Sequence, residues 1–109
     1  MKNKDFQIIY KEGKSYANKY LVMYVLINNK EENRLGISVS KKVGNSVVRH
    51  RITRLIRESY RLQEDVFQKG YDIVIVARAG AKEKNYSEIE SALLHLGKLH
   101  NIIDESVEN

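Results

Sequence analysis

Residues 46–62, SVVRHRITRLIRESYRL, can bury only one side of whatever they form. On a helix turning about 100° per residue, with Val48 at zero, Ile52 falls at about 40°, Leu55 at about 340°, Ser59 at about 20° and Ile56 at about 80°. This is a stripe that must seat against a core. His50 at about 200°, Arg51 at about 300°, Arg54 at about 240°, Arg57 at about 180° and Arg61 at about 220° are assigned to the outer side. Arg49, at about 100°, is expected to lie along the flank of the stripe, its stem on apolar surface and its head in water. Gly44 and Asn45 punctuate the start, and either Asn45 or Ser46 can cap the first free amides.

The charge of the chain is concentrated in the same place. Residues 41–61 hold seven of the 19 Lys and Arg, including Lys41 and Lys42 in the preceding loop, but one of the 14 Asp and Glu, Glu58. Elsewhere twelve bases face thirteen acids, so the net charge of +5 comes from this window. Like charges one helical turn apart repel by a few tenths of a kcal/mol per pair, a penalty that a polyanion would relieve. Loop and helix therefore read as a phosphate-binding ridge. About five phosphate contacts would give a slope of about −4 in log K against log salt.

Around this helix the chain alternates. KDFQIIYKEG, stopped by Gly13, predicts a helix over 4–12. YLVMYVLI (20–27) predicts a strand, NNKEEN a hairpin loop, and RLGISVS (34–40) its antiparallel partner. YDIVIVA (71–77) predicts a buried strand. SEIESALLHLGKLHNII predicts a closing helix opened by a Ser87/Glu90 capping box, with Ile89, Ala92, Leu93, Leu96 and Ile103 on one face. The pattern is that of an α+β protein, a sheet covered by helices in an α/β sandwich, organised as one domain over 1–109 with a frayed polar tail at 104–109.

No cysteine is present, which excludes disulfides, thiolate metal sites and thiol nucleophiles, and suits a reducing cytoplasm. No apolar run approaches the about 18 residues of a membrane span, and the first twenty lack the apolar core of a signal peptide, so no membrane association is expected. The acids are scattered, and His50, His95 and His100 form no metal-ligand pattern; no phosphate-cradling loop or nucleophile elbow occurs. No cofactor is expected to be bound by protein side chains. Phe6 and Tyr10 stand one helical turn apart, and Tyr24 lies within the first strand. Taken alone these aromatics read as core, although single-stranded RNA is also bound by stacking on such rings.

The string SKKVGNSVVRHRITRLIRE resembles the signature of the bacterial ribonuclease P protein subunit, in which a Lys-Lys-x-Gly-x-x-Val stretch leads to Arg-Asn-Arg and a second basic cluster. The similarity extends from DFQIIYKEGKSYANKYLVMYVL through RLGISVS to YDIVIVARAGA and the last helix. Two positions depart from it: His50 stands for the central Asn, and Thr53 where a lysine is usual. The resemblance implies a mixed sheet of about four strands, like domain 2 of ribosomal protein S5, with the basic helix in an unusual left-handed βαβ crossover.

It also implies the protein subunit of an endoribonuclease whose catalytic centre lies in an RNA that requires Mg²⁺. The implied partners are that catalytic RNA and precursor tRNA, without a required protein partner but allowing dimerisation of the holoenzyme. By the same resemblance Phe6, Tyr10, Asn18, Tyr24 and Arg78 form a cleft for the 5′ leader, with Lys14 a further basic candidate. Lys41, Lys42, Arg49, Arg51, Arg54 and Arg57 meet the catalytic RNA, with His50 and Arg61 as further contacts. A general structural or ribosomal RNA-binding protein is the alternative. A helix-turn-helix DNA reader is disfavoured, because RLGISVS reads as strand where a second helix would be needed.

Overall fold

The computed structural model describes residues 1–104. Its elements are helix α1 (Asn3–Glu12), strands β1 (Lys14–Ala17), β2 (Leu21–Ile27) and β3 (Arg34–Ser38), helix α2 (Ser46–Leu62), strand β4 (Tyr71–Ala77) and helix α3 (Tyr86–Leu99). The strands form one mixed sheet in the order β1-β2-β4-β3, an α+β arrangement of three helices on four strands.

β4 takes the centre because its Ile73-Val74-Ile75 run is fully buried on both faces. β2 lies antiparallel to it with Val22 opposite Val76, and β3 lies parallel with Ser38 opposite Val76. The expected β2–β3 hairpin is therefore absent, and 28–33 is a crossing over the start of β4. Its asparagines explain the route. Asn28 donates its backbone N–H to Gly70 O (2.9 Å) and its side-chain amide to Asp72 Oδ1 (3.0 Å). Asn33 donates to Gln68 O (2.8 Å) and accepts from Tyr71 N–H (2.8 Å). Asn29 takes φ 59°, a left-handed turn that asparagine tolerates. The edge of β2 left free by β4 pairs with β1, a four-residue strand too polar to announce itself.

Leu21, Met23, Ile73 and Ile75 form one face of the sheet and pack with Ile52, Ile56 and Tyr60 of α2 and Ile89, Leu93 and Leu96 of α3. The predicted stripe of α2 is thus the buried one, and Asn45 is the cap, accepting from Val48 N–H at 3.0 Å. α3 begins earlier than its sequence suggested. Asn85 and Glu88 form the capping box, and Glu90 instead accepts from the Tyr86 hydroxyl (2.6 Å) and the Gln63 amide (3.1 Å). Ile103 lies beyond the helix, bridged to Phe67 and packed so closely on Gly97 that a Cβ there would meet it at 2.7 Å. Of the tail, Asp104 donates its N–H to Val66 O (2.6 Å), and residues 105–109 lie outside the described residues.

α1 packs on the opposite face through Ile9, which is fully buried. Gly13 ends it without a left-handed turn: its φ is −75°, and a side chain there would lie 2.5 Å from Ile9 O. The start of α1 is tied to the sheet by charge. Arg34 forks onto buried Asp72 (Nε–Oδ1 2.8 Å, Nη2–Oδ2 2.5 Å) and faces Asp5 at 3.7 Å. The Arg34 fork holds the Asp72 carboxyl below its usual range against the opposing effect of burial, and Asn28 adds to it.

Because the folded pKa is depressed, this stabilisation is complete above about pH 4, the unfolded value, and is lost as pH falls through the folded one. Arg34 is 39% exposed, so its loss should cost less than the about 3–5 kcal/mol of a fully buried pair. Arg34→Ala should lower unfolding free energy by about 2 kcal/mol at pH 7 and by clearly less at pH 3. Urea unfolding at both pH values checks this; equal losses would contradict it.

Candidate RNA-binding surfaces

The sheet register defines a surface beside α1. Side chains of β2 and β4 that point away from the main core form cross-strand rows, Ser15–Tyr24–Val74–Gly36 and, next to it, Ala17–Val22–Val76–Ser38. α1 covers the first row at Val74 and Gly36 through buried Ile9 and half-buried Phe6, and Gly36 lets the Phe6 ring sit close to the backbone. An added Cβ would meet the Phe6 ring at 2.8 Å. The second row, of small residues, is half-open or exposed. Its wall is aromatic: Tyr10 meets Tyr24 edge-on with centroids 4.9 Å apart, and Phe6 stands 6.2 Å from Tyr10. Tyr10 is 38% exposed. These three rings are therefore neither main core nor free side chains, but an aromatic edge beside the half-open strip.

Asn18 and Arg78 are brought together, but at the end of the sheet, about 13 Å along the strands from Tyr24. Arg78 Nη1 donates to Asn18 O at 2.7 Å. The Asn18 side chain is fully used within the protein. Its Oδ1 accepts from Tyr20 N–H (3.2 Å) and Leu21 N–H (3.0 Å), while Nδ2 contacts Ala92 O (2.9 Å) and His95 Nδ1 (3.2 Å). Lys14 lies at 5.3 Å over the Tyr16 ring, on an edge strand.

The second surface is α2. His50, Arg51, Arg54, Arg57 and Arg61 are exposed, and Lys41 and Lys42 project from a turn anchored by buried Val43, whose N–H donates to Ser40 O at 3.1 Å. Arg54 and Arg57 form no salt bridge among the described residues, although the Arg54 charge helps to lower the Glu58 pKa. Arg61 is bound to Glu58, which lowers the Glu58 pKa and neutralises much of that cation.

Arg51 differs again. Its Nη1 donates to Lys82 O (3.2 Å) and its Nη2 to Lys84 O (2.6 Å). Arg49 is half-buried beside Ile37, Val39 and Thr53, with Nε buried and without a hydrogen-bond partner. Thr53 donates its hydroxyl to Arg49 O at 2.8 Å, so it serves its own helix. Between α2 and α3, Tyr86 lines a groove with Arg51, Arg54 and Arg57. Its hydrogen bond to the Glu90 carboxylate pushes its pKa up to about 12, so its hydroxyl remains a donor.

Val22, Val76, Ser38 and the lysines of the β4–α3 connection escaped sequence reasoning. Strand alternation puts Val22 on the face of Tyr24, but Val76 and Ser38 join them only through strand pairing, which is not local. Among the described residues no three His, Asp or Glu gather into a group able to hold a metal ion. His50 is exposed on α2, His95 touches Asn18, and His100 bonds Met23 O at 2.8 Å, so the histidines stand apart.

Comparison with known proteins gives a consistent result. The family model described as Ribonuclease P matches residues 1–100. The ribonuclease P protein component of Lachnoclostridium phytofermentans is 70% identical over 95% of this chain and 90% of its own. That of Alkaliphilus metalliredigens is 58% identical over 87% and 86%. Among solved structures, the Staphylococcus aureus RNase P protein superposes with a TM-score of 0.86 at 41% identity over 94% of both chains. The Thermotoga maritima RNase P protein gives 0.81 at 34% identity over 87% of this chain and 91% of its own.

The contrast between tethered and free polar groups is measurable without RNA. Asn18→Ala should lower unfolding free energy by about 1–2 kcal/mol, since it strands three part-buried backbone groups. Arg54→Ala and Arg57→Ala should each change it by less than about 0.5 kcal/mol. Denaturant unfolding of the three variants checks the distinction.

Proposed function

The chain belongs to the ribonuclease P protein family, the protein component of an endoribonuclease that removes the 5′ leader of tRNA precursors, and we propose that its single RNA-binding domain, 1–109, divides that work between two surfaces. The aromatic groove formed by Phe6, Tyr10 and Tyr24 takes unpaired leader nucleotides of precursor tRNA, with Arg78 as a cation at the sheet end that Asn18 holds in place. The ridge of Lys41, Lys42, Arg49, Arg54 and Arg57 meets the catalytic RNA, with His50 beside it and Arg61 weakened by Glu58. The alternative of a general structural RNA-binding protein is not favoured by the family.

One observation carries this division. A half-open aromatic wall lies on the α1 face of the sheet, while unpaired Arg54 and Arg57 crown the helix packed on the other face. Stacked bases suit the first, because every base offers a π-face worth about 1–3 kcal/mol. A structured, phosphate-dense RNA suits the second, because each cation placed on a phosphate releases counterions.

Among the described residues no three carboxylates or imidazoles converge into a group able to hold a metal ion. Mg²⁺ is accordingly assigned to the RNA. The polypeptide contributes substrate affinity and charge neutralisation. The work needs no protein partner, whether the holoenzyme acts singly or as a dimer. No helix is long and apolar enough to cross a membrane among the described residues, and the tRNA substrate points to the cytoplasm.

Phe6→Ala and Tyr24→Ala should weaken holoenzyme binding of precursor tRNA about tenfold while leaving mature tRNA nearly unaffected. Equal losses on both substrates with an intact fold would show the rings to be packing residues only. Arg54→Ala should weaken association with the catalytic RNA and reduce the salt slope by about one. Leader removal by the protein with Mg²⁺ and no RNA would overturn the assignment of roles.

A further inference from the structure

Charge alone would place Arg51 among the phosphate contacts of α2, but two of its five N–H donors are already held by backbone carbonyls. Both acceptors, Lys82 O at 3.2 Å and Lys84 O at 2.6 Å, belong to the connection between β4 and α3. From 79 to 84 that connection makes only local backbone hydrogen bonds: Ala81 N–H to Arg78 O (2.9 Å), Lys82 N–H to Ala79 O (3.2 Å) and Lys84 N–H to Ala81 O (3.1 Å). The Ala81 side chain anchors it in the core, and the rest of its hold comes from outside.

There are two grips. One is the Arg51 fork from α2. The other is the β1–β2 turn: Arg78 Nη1 bonds Asn18 O at 2.7 Å, and the Lys84 ammonium stands 5.1 Å over the Tyr20 ring. Gly80 lies so near the Lys19 carbonyl that a Cβ would be 2.7 Å from it. The connection is thus clasped between the basic helix and the sheet end that carries Arg78. A planar guanidinium can hold two carbonyls at once, whereas a lysine ammonium offers a point charge without that fork.

We propose that Arg51 is a positioning residue: it fixes the 78–84 connection, and through it Arg78 and the β1–β2 turn at the end of the leader groove, instead of meeting phosphate on the ridge. The functional half rests on the two-surface reading above. Mechanically, the residue sits on the helix that meets one RNA and sets the geometry of the surface that meets the other.

Arg51→Lys and Arg51→Ala separate the alternatives, because lysine keeps the charge and loses the fork. In the free protein, amide hydrogen exchange at Ala81, Lys82 and Lys84 should quicken about tenfold in both variants, with the sheet amides unchanged. In the holoenzyme, both should lower the preference for precursor over mature tRNA severalfold while leaving the salt slope for the catalytic RNA at its wild-type value. Arg54→Ala, measured alongside, should lower that slope by about one without altering the loop amides. A lysine variant that behaves as wild type throughout, with a slope reduced by about one in the alanine variant, would make Arg51 a phosphate contact and overturn the proposal. Unchanged loop exchange in both variants overturns it without reference to RNA. A wild-type holoenzyme indifferent to the leader refutes the two-surface reading and the functional half with it, while the exchange result still decides the clasp.

Discussion

The inward face of α2 has almost no freedom, and the outward face inherits its bearing. Ile52 and Ile56 are fully buried against the sheet, and truncating either to alanine would cost about 3 kcal/mol. Turning the helix by one residue, about 100°, would carry an arginine into that contact and an isoleucine into water. The directions of Arg54 and Arg57 are therefore consequences of apolar packing rather than of any contact they make themselves. The Asn45 cap and buried Val43 fix the start of the helix, and with it the turn that carries Lys41 and Lys42.

The other face of the sheet is governed by incompleteness. α1 is short, and Gly36 lets Phe6 settle close to the backbone. Arg34 joins the start of α1 to β4 through Asp5 and Asp72. What remains uncovered is a strip floored by Ala17, Val22, Val76 and Ser38, with tyrosine rings along it. A longer helix or a larger residue at 36 would close the strip or push the rings outward.

Elements determined by short-range pattern were legible in the chain. α2 follows from its stripe and cap, and β4 from a β-branched run that only a two-sided strand accommodates. Pairing was not legible, because β3 joins β4 through amides of Asn28 and Asn33 that look like ordinary loop residues in sequence. The site divided in the same way. Exposed cations followed from the helical wheel, yet Arg51, at about 300°, stands about as far from the centre of the apolar stripe as a flank residue does, and the carbonyls it meets come from 31 and 33 residues away. The commitment of Asn18 to α3 was similarly hidden, since its partners lie more than 70 residues on.

The absence of cysteine makes the central claim open to direct mapping, because a single introduced thiol can carry a hydroxyl-radical source without competition. Val47, 75% exposed beside the arginines of α2, and Ala17, exposed on the groove floor, are suitable positions. In a holoenzyme bound to precursor tRNA, strand cleavage from Val47→Cys should fall in the catalytic RNA and cleavage from Ala17→Cys in the 5′ leader. Cleavage of one and the same RNA segment from both positions would contradict the division of this protein into two RNA-facing surfaces.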